Sequence, residues 1–274
     1  MCTFLCLAAS STAQYNEVGF MVGASNYKGE LSPHLFNTDF LNGAAGVFYR
    51  HNWNRHWSYK FELNFGRVSG DDALAETEFE QNRNLSFYSD ILEFSPQVEF
   101  NFFPYETGNQ EYPFTPYLFT GISVFRFNPK AELNGVEVDL QPLGTEGQGF
   151  NGTSLYNRIA IALPIGGGIK LNLGNVGLGL EVGARRTYTD YLDDVSTRYP
   201  DFVKLLAAHG QQAVDLSDRS IVKGDPSVQL PTITGKQRGS SRDNDWYVFA
   251  GITIYFRINS PGRDSCSPFK KRNY

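Results

Sequence analysis

Asp190, Asp193 and Asp194 place three carboxylates within five residues, inside the run Thr189-Asp190-Tyr191-Leu192-Asp193-Asp194-Val195-Ser196. Such a group supports two kinds of chemistry. It supplies hard oxygen ligands of the kind a calcium ion takes. It also supplies anions for the guanidinium groups of Arg185 and Arg186 just upstream. Pairing of Asp193 and Asp194 with Arg185 and Arg186 is the expectation, because it balances charge with residues already present. Calcium on Asp190, Asp193 and Asp194 is the weaker alternative, and no metal is assigned.

Other reactive groupings are sparse. His34, His51, His56 and His209 form no pair at ligand spacing with a carboxylate. Gly166-Gly167-Gly168 lies within an alternating apolar segment, not between a strand and a helix, so it is no phosphate cradle. It relieves crowding or permits bending there. Glu62, Glu93 and Glu99 offer an acid pair, but Lys60 and Lys170 share their side of the pattern, and ion pairing is expected. Asn151-Gly152-Thr153 matches a glycosylation sequon, but no modification is assigned to it. No catalytic residue and no cofactor is assigned, and no enzymatic activity is expected.

The elements that carry these groups show a period of two. In 57–66, Trp57, Tyr59, Phe61, Leu63 and Phe65 alternate with Ser58, Lys60, Glu62, Asn64 and Gly66. The same alternation runs through 88–102, 158–172, 176–185 and 245–258. It is weaker in 15–25 and 43–52, and 117–127 is apolar on both sides, so its faces stay unassigned. Eight segments of this length suffice to cross an outer membrane when tilted.

Alternation alone does not say which side faces water. The polar side is rich in glycine and mixes signs: Glu17, Lys60, Glu62, Glu93, Glu99, Lys170, Glu181, Arg185 and Arg257. Opposite charges enclosed in one narrow lumen can pair, and unpaired ones there are costly. The other side is apolar, with Tyr15, Trp57, Tyr88, Phe102, Trp246 and Phe256 near segment ends, as in aromatic girdles at membrane interfaces. The connections alternate long and short: 26–42, 53–56, 67–87, 103–116, 128–157, 173–175 and 186–244. The expected fold is therefore all-β: an eight-stranded antiparallel transmembrane (outer-membrane) β-barrel with long extracellular loops and short periplasmic turns. An even strand number puts both termini in the periplasm. A narrow channel is disfavoured, because side chains fill so small a lumen.

The ends divide the chain into 1–13, 14–258 and 259–274. Residues 1–13 read as a signal peptide, an apolar stretch ending in small residues, with Gln14 as the new N-terminus. Its basic start is missing, as in a signal truncated at its beginning. Removing it takes Cys2 and Cys6, and the remaining Cys266 can form neither an internal disulfide nor a thiol-metal cluster. Residues 259–274 read as a basic periplasmic tail. Arg263, Lys270, Lys271 and Arg272 against Asp264 suit either plain solvation or docking to an acidic partner. A net charge of −5 argues against general nucleic-acid binding. Mean hydropathy is −0.34, with no apolar run near the roughly 18 residues of a membrane helix.

Two loops stand out. Asp71, Asp72, Glu76, Glu78 and Glu80 make 67–87 acidic and read as a solvated run, with cation or basic-partner contact as the alternative. Residues 202–208 read as a short helix that packs locally or offers Phe202, Leu205 and Leu206 to a protein.

The stretch from Val182 to Ser196, with Tyr15-Asn16-Glu17-Val18-Gly19-Phe20 and Pro116-Tyr117-Leu118-Phe119-Thr120-Gly121, resembles the PorG family of small outer-membrane barrels in the Bacteroidota type IX secretion system. The resemblance covers nearly the whole chain. It implies a non-catalytic accessory of the secretion and gliding machinery in the bacterial outer membrane, associated with the periplasmic ring of the PorK lipoprotein and PorN. The turn 103–116 and Arg263, Lys270, Lys271 and Arg272 are then the accessible contact candidates. The alternative is a generic small surface barrel that uses its outer loops for adhesion or ligand contact.

Overall fold

A computed structural model of the chain describes residues 14–150, 152–221 and 230–258. The proposed signal peptide and the basic tail, with Arg263, Cys266, Lys270, Lys271 and Arg272, lie outside the described residues.

The strands of the wall are β1 (Tyr15–Lys28), β2 (Asn42–Asn52), β3 (Trp57–Asp71), β4 (Ser86–Asn101), β5 (Phe114–Gly121) continued after Ile122 by β6 (Ser123–Arg126), β9 (Ile159–Asn172), β10 (Val176–Thr187) and β11 (Trp246–Ile258). Neighbours in sequence pair antiparallel, β1 pairs with β11, and β3 pairs with β4, so the sheet closes on itself. With β5 and β6 as one interrupted strand, the ring has eight staves. The remaining elements belong to the loops: a hairpin of β7 (Pro129–Leu133) and β8 (Val136–Asp139), and helices α1 (Glu78–Arg83), α2 (Phe202–His209) and α3 (Gln211–Ser217). Among the described residues no helix is long and apolar enough to cross a membrane.

Alternation fixes the sides. In β3, Trp57, Tyr59, Phe61, Leu63 and Phe65 are exposed, while Ser58, Lys60, Glu62 and Asn64 are buried. Val18, Phe20, Val47, Phe94, Leu118, Leu180 and Ile252 continue the exposed apolar belt around the ring. A barrel in water would put that belt inside; with polar groups inside and apolar groups outside, the solvent of the outer face is lipid. The protein is an outer-membrane barrel. Leu180→Arg, mid-way along β10, is accordingly expected to cost about 2–4 kcal/mol in bilayer folding titrations, where an exposed site facing water would tolerate it.

At the end where β1 begins and β11 ends, Trp57 packs 4.9 Å from Phe100, Phe100 packs 5.5 Å from Phe102, and Trp53 stacks on Tyr59. This is the periplasmic girdle. Tyr15 is not part of it. It shares the inward parity of Glu17, and its phenol oxygen accepts a hydrogen bond from the Thr107 amide inside the barrel.

The lumen is filled in two layers. Nearer the periplasm, Arg50 lies 2.8 Å from both Glu17 and Glu99, and Lys170 lies 2.6 Å from Glu99. Lys60 lies 2.7 Å from Glu181 and 3.3 Å from Glu62, and Arg185 lies 3.2 Å from Glu93. The glycines opposite make the room. A Cβ on Gly183 would fall 2.6 Å from the Phe119 ring, and one on Gly168 would fall 2.9 Å from Tyr117. Towards the outside, Tyr27, Val68, Phe87, Ile91, Phe125, Phe127, Tyr247 and Phe249 form an apolar core that continues into the loops through Leu31, Leu85, Leu140, Leu192, Val195 and Leu216.

The turn between β4 and β5 closes the periplasmic mouth. Tyr105 reaches in to meet the Tyr255 hydroxyl at 2.8 Å, and the Thr107 hydroxyl donates to Glu17. Glu106 is held by Arg55 at 3.1 Å and by Arg257 at 3.3 Å. Arg257 thus pairs at the mouth rather than within the lumen.

Candidate functional site at the outer mouth

The functional candidate is built where β10 leaves the wall. Leu192, Asp193, Asp194 and Val195 are each at most 1% exposed. A polar turn becomes this buried only when its charges find partners, and the partners come from several loops.

Asp193 accepts from the Val195 amide at 2.9 Å and from the Tyr27 hydroxyl at 2.6 Å. Asp194 takes a left-handed backbone (φ 68), which Asp tolerates better than most residues, and its carboxylate accepts from the Tyr156 and Thr145 hydroxyls. Arg238 donates to the Asp194 carbonyl, pairs with Glu146 at 3.0 Å and approaches the Asp194 carboxylate at 3.8 Å. Glu146 in turn accepts from the amides of Ser196 and Thr197. Arg83, fixed by two 2.7 Å hydrogen bonds to Asp72, donates to the carbonyls of Arg238 and Glu30. Tyr156 stacks on Tyr191 at 4.6 Å. The motif is therefore the hub of a cap in which all four outer loops meet.

This corrects the expected pairing. Arg185 shares the lumenal parity of Glu181 and Gly183, and it turns inward to Glu93 and the Gly183 carbonyl. Arg186, on the opposite face of β10, is exposed. Asp193 and Asp194 have already left the strand, and the cation that serves Asp194 is Arg238, far along the same loop. The 67–87 segment is likewise only partly a solvated run. β3 extends to Asp71, Asp72 is buried on Arg83, and Glu76 and Glu78 remain exposed. In α2, Phe202 and Leu205 are buried beneath Tyr199 and Val214, which makes the helix a local packing element.

Glu30, Asp193 and Asp245 offer carboxylate oxygens that all lie within 4.8 Å of one another. Their sources are the ends of β1 and β10 and the start of β11, neighbouring staves of the ring. Gly29 allows the approach, since a Cβ there would run into the Tyr27 hydroxyl and the Asp245 carboxylate. Asp190 is 8% exposed, and neither of its oxygens has a hydrogen-bond partner; the Ser196 hydroxyl is near without reaching bonding geometry. Burial pushes Glu30 up to about 9, Asp193 to about 8 and Asp190 to about 7, and it raises Asp245 well above the carboxylate range; repulsion from neighbouring carboxylates adds to each, for Asp190 from Glu146 and Asp243. Asp194 is raised to about 6, burial being opposed by Arg238. Of the three aspartates singled out in sequence, Asp193 belongs to this cluster and Asp190 borders it, while Asp194 belongs to the Arg238 pair. Glu30 and Asp245 were missed; their partnership exists only once the ring closes.

The histidines stay apart from it. His34 faces Glu76 at 3.4 Å on the surface, His51 contacts Asn16, and His56 contacts the Asn101 carbonyl. His209 lies beside Phe150. Gly166, Gly167 and Gly168 lie within β9.

The family model described as Domain of unknown function (DUF6089) matches residues 1–210, which take in the wall through β10 and the whole aspartate motif. The chain belongs to that family. No curated protein matches this DUF6089 chain by sequence. Among solved structures, it is similar to the N-terminal β-barrel domain of Pseudomonas aeruginosa OprF (9% identity, 90% of this chain and 100% of that one, TM-score 0.37). It is also similar to Neisserial surface protein A (8%, 89% and 97%, 0.39) and to Ail, the attachment invasion locus protein of Yersinia pestis (9%, 89% and 97%, 0.38). The membrane assignment of the DUF6089 barrel rests on its own register and apolar belt.

Proposed function

We propose that the protein is a non-conducting, non-enzymatic anchor of the type IX secretion and gliding machinery, held in the outer membrane and associated with the periplasmic PorK/PorN ring. The observation that carries the anchor reading is the filled lumen. Ion pairs occupy its inner half, aromatic residues its outer half, the Tyr105–Thr107 turn closes one mouth and the loop cap closes the other. A wall filled in this way offers cargo no path, so its ends are its working surfaces. The link to this particular machinery comes from the resemblance in Val182–Ser196 and in the openings of β1 and β5. On the periplasmic side, Pro104, Gln110, Glu111 and Pro113 stay exposed around the inward-folded turn. With the tail residues Arg263, Lys270, Lys271 and Arg272, they are the surface offered to the ring.

Contact through the outer loops is the second reading, favoured by the exposed Val203 and Ile221 on the cap. Co-purification from native membranes separates the two. PorK and PorN are expected to be retained by the full chain and lost when 259–274 is removed and the exposed turn residues are replaced. A barrel that isolates alone, from a strain whose deletion mutant secretes normally, would end the first reading.

A further inference from the structure

The strongest unassigned feature is the acidic cluster on the outer mouth. Counting its donors shows that it is short of positive charge. One oxygen of Glu30 accepts from the Ser240 amide, one of Asp193 from the Val195 amide and one of Asp245 from the Leu192 amide. Of the remaining oxygens, Glu30 Oε2 is buried without a partner. Asp193 Oδ2 and Asp245 Oδ1 both face the Tyr27 hydroxyl, at 2.6 and 3.1 Å. A phenol has one proton and donates to one of them. The neighbouring cations are spoken for: Arg83 is held bidentately by Asp72, and Arg238 by Glu146 and Asp194.

Asp190 supplies the independent observation. It is more than nine-tenths buried, both its oxygens lack partners, and its charge bears on Glu30, Asp193 and Asp245 alike. A buried carboxylate without a hydrogen bond, close enough to repel three others, calls for a cation.

We propose that Glu30, Asp193 and Asp245, with Asp190 beside them, bind one calcium ion that ties the ends of β1, β10 and β11 together under the loop cap. Oxygens within 4.8 Å of one another fit around a single ion whose ligands stand about 2.3–2.6 Å from it. The donors are all carboxylate oxygens, and among the described residues no histidine or cysteine joins them, which selects a hard cation over zinc or copper. Calcium's irregular coordination suits ligands drawn from three separate chain ends better than magnesium's strict octahedron. Glu30, the half-buried member, gives the ion its route from solvent. The inference is independent of the secretion role.

The test uses the full chain, purified in detergent, stripped with a chelator and shown to be folded by its heat-dependent gel mobility. Terbium, a calcium surrogate, is added under tyrosine excitation and then displaced with calcium chloride. The expected result is sensitised emission from one site per chain, excited through Tyr27 and chased by calcium. Glu30→Gln and Asp193→Asn should each weaken binding by at least about tenfold, since even outer-shell partners of metal ligands are worth that much. Glu76→Gln, an exposed carboxylate of the neighbouring loop, should leave it unchanged. If the variants unfold, the wild type decides. Calcium should then slow proteolysis of 188–245 relative to chelator. Folded wild-type protein that takes up neither terbium nor calcium, or Glu30→Gln and Asp193→Asn variants that bind as tightly as wild type, overturns the site.

Discussion

Lys60→Met is expected to destabilise the barrel by about 3–5 kcal/mol, the cost of removing one member of a buried ionic group. The side chain is wholly enclosed. Its ammonium group lies 2.7 Å from Glu181, 3.3 Å from Glu62 and 3.9 Å from Glu99, between the rings of Phe48 and Phe119. The lumen holds Glu17, Glu62, Glu93, Glu99 and Glu181 against Arg50, Lys60, Lys170 and Arg185. Among the described residues it has no spare cation to move into the gap. Arg50 and Lys170 are committed to Glu17 and Glu99, and Arg185 to Glu93. Methionine replaces the volume, so the loss isolates the electrostatic part. Adding Glu181→Gln should recover much of the stability, because the amide oxygen still accepts from the Tyr117 hydroxyl and one negative charge is gone. Urea unfolding in lipid vesicles, followed by tryptophan fluorescence and gel mobility, measures both. A Lys60→Met barrel as stable as wild type would mean that the lumenal charges are hydrated and worth little. A double variant no better than the single would mean that the cost comes from packing.

The wall was legible because it obeys one local rule. Most staves alternate clearly, and in β3 the alternation alone separates Lys60 and Glu62 from Phe61 and Leu63, while 117–127, apolar on both sides, leaves its faces unassigned. A second cue misleads where it conflicts with parity: Tyr15 is aromatic and near a strand end, as a girdle residue would be, yet it shares Glu17's side and lies inside the barrel. Two further elements carry local signals in the sequence. Asn134-Gly135, both with positive φ, makes the tight turn of the β7–β8 hairpin that a two-residue loop of this type favours. Thr77 caps the start of α1: its hydroxyl accepts from the Glu80 amide and donates to the Glu80 carboxylate, a Thr-x-x-Glu signal in the sequence. The cap itself was not legible. Glu30, Asp193 and Asp245 are separated by most of the chain, and local reasoning paired the aspartates with the nearest arginines. Only closure of β1 on β11 brings the real partners together. The one residue type that marks the place in advance is Gly29, the position where no side chain would fit.

The cap rather than the wall is where the second large effect should appear. Arg238→Ala is expected to open the loops while leaving the barrel folded. Arg238 is 1% exposed and connects Glu146, the Asp194 carbonyl and the Ser217 carbonyl, and its own carbonyl accepts from Arg83. Removing the guanidinium leaves Glu146 and Asp194 buried without their cation, which costs about 3–5 kcal/mol. That exceeds what Thr145, Tyr156 and the two amides on Glu146 can offset with neutral hydrogen bonds of roughly 1 kcal/mol each only if the loops stay closed. Opening lets the carboxylates reach water instead, and the wall, closed by its own hydrogen bonds, has no reason to follow. Hydrogen exchange should therefore speed up at Leu192, Val195, Ser196 and Thr197 by about 10²–10³-fold, at about 1.4 kcal/mol per tenfold, while amides in the middle of β3 and β10 keep their protection. Arg238→Lys should recover part of the effect, since it restores the charge without the fork that spans a carboxylate and two carbonyls. Faster exchange throughout β10 and β11 would show that cap and wall fold as one unit. Unchanged exchange at Ser196 and Thr197 would show that the hydroxyls and amides hold the motif without the ion pair.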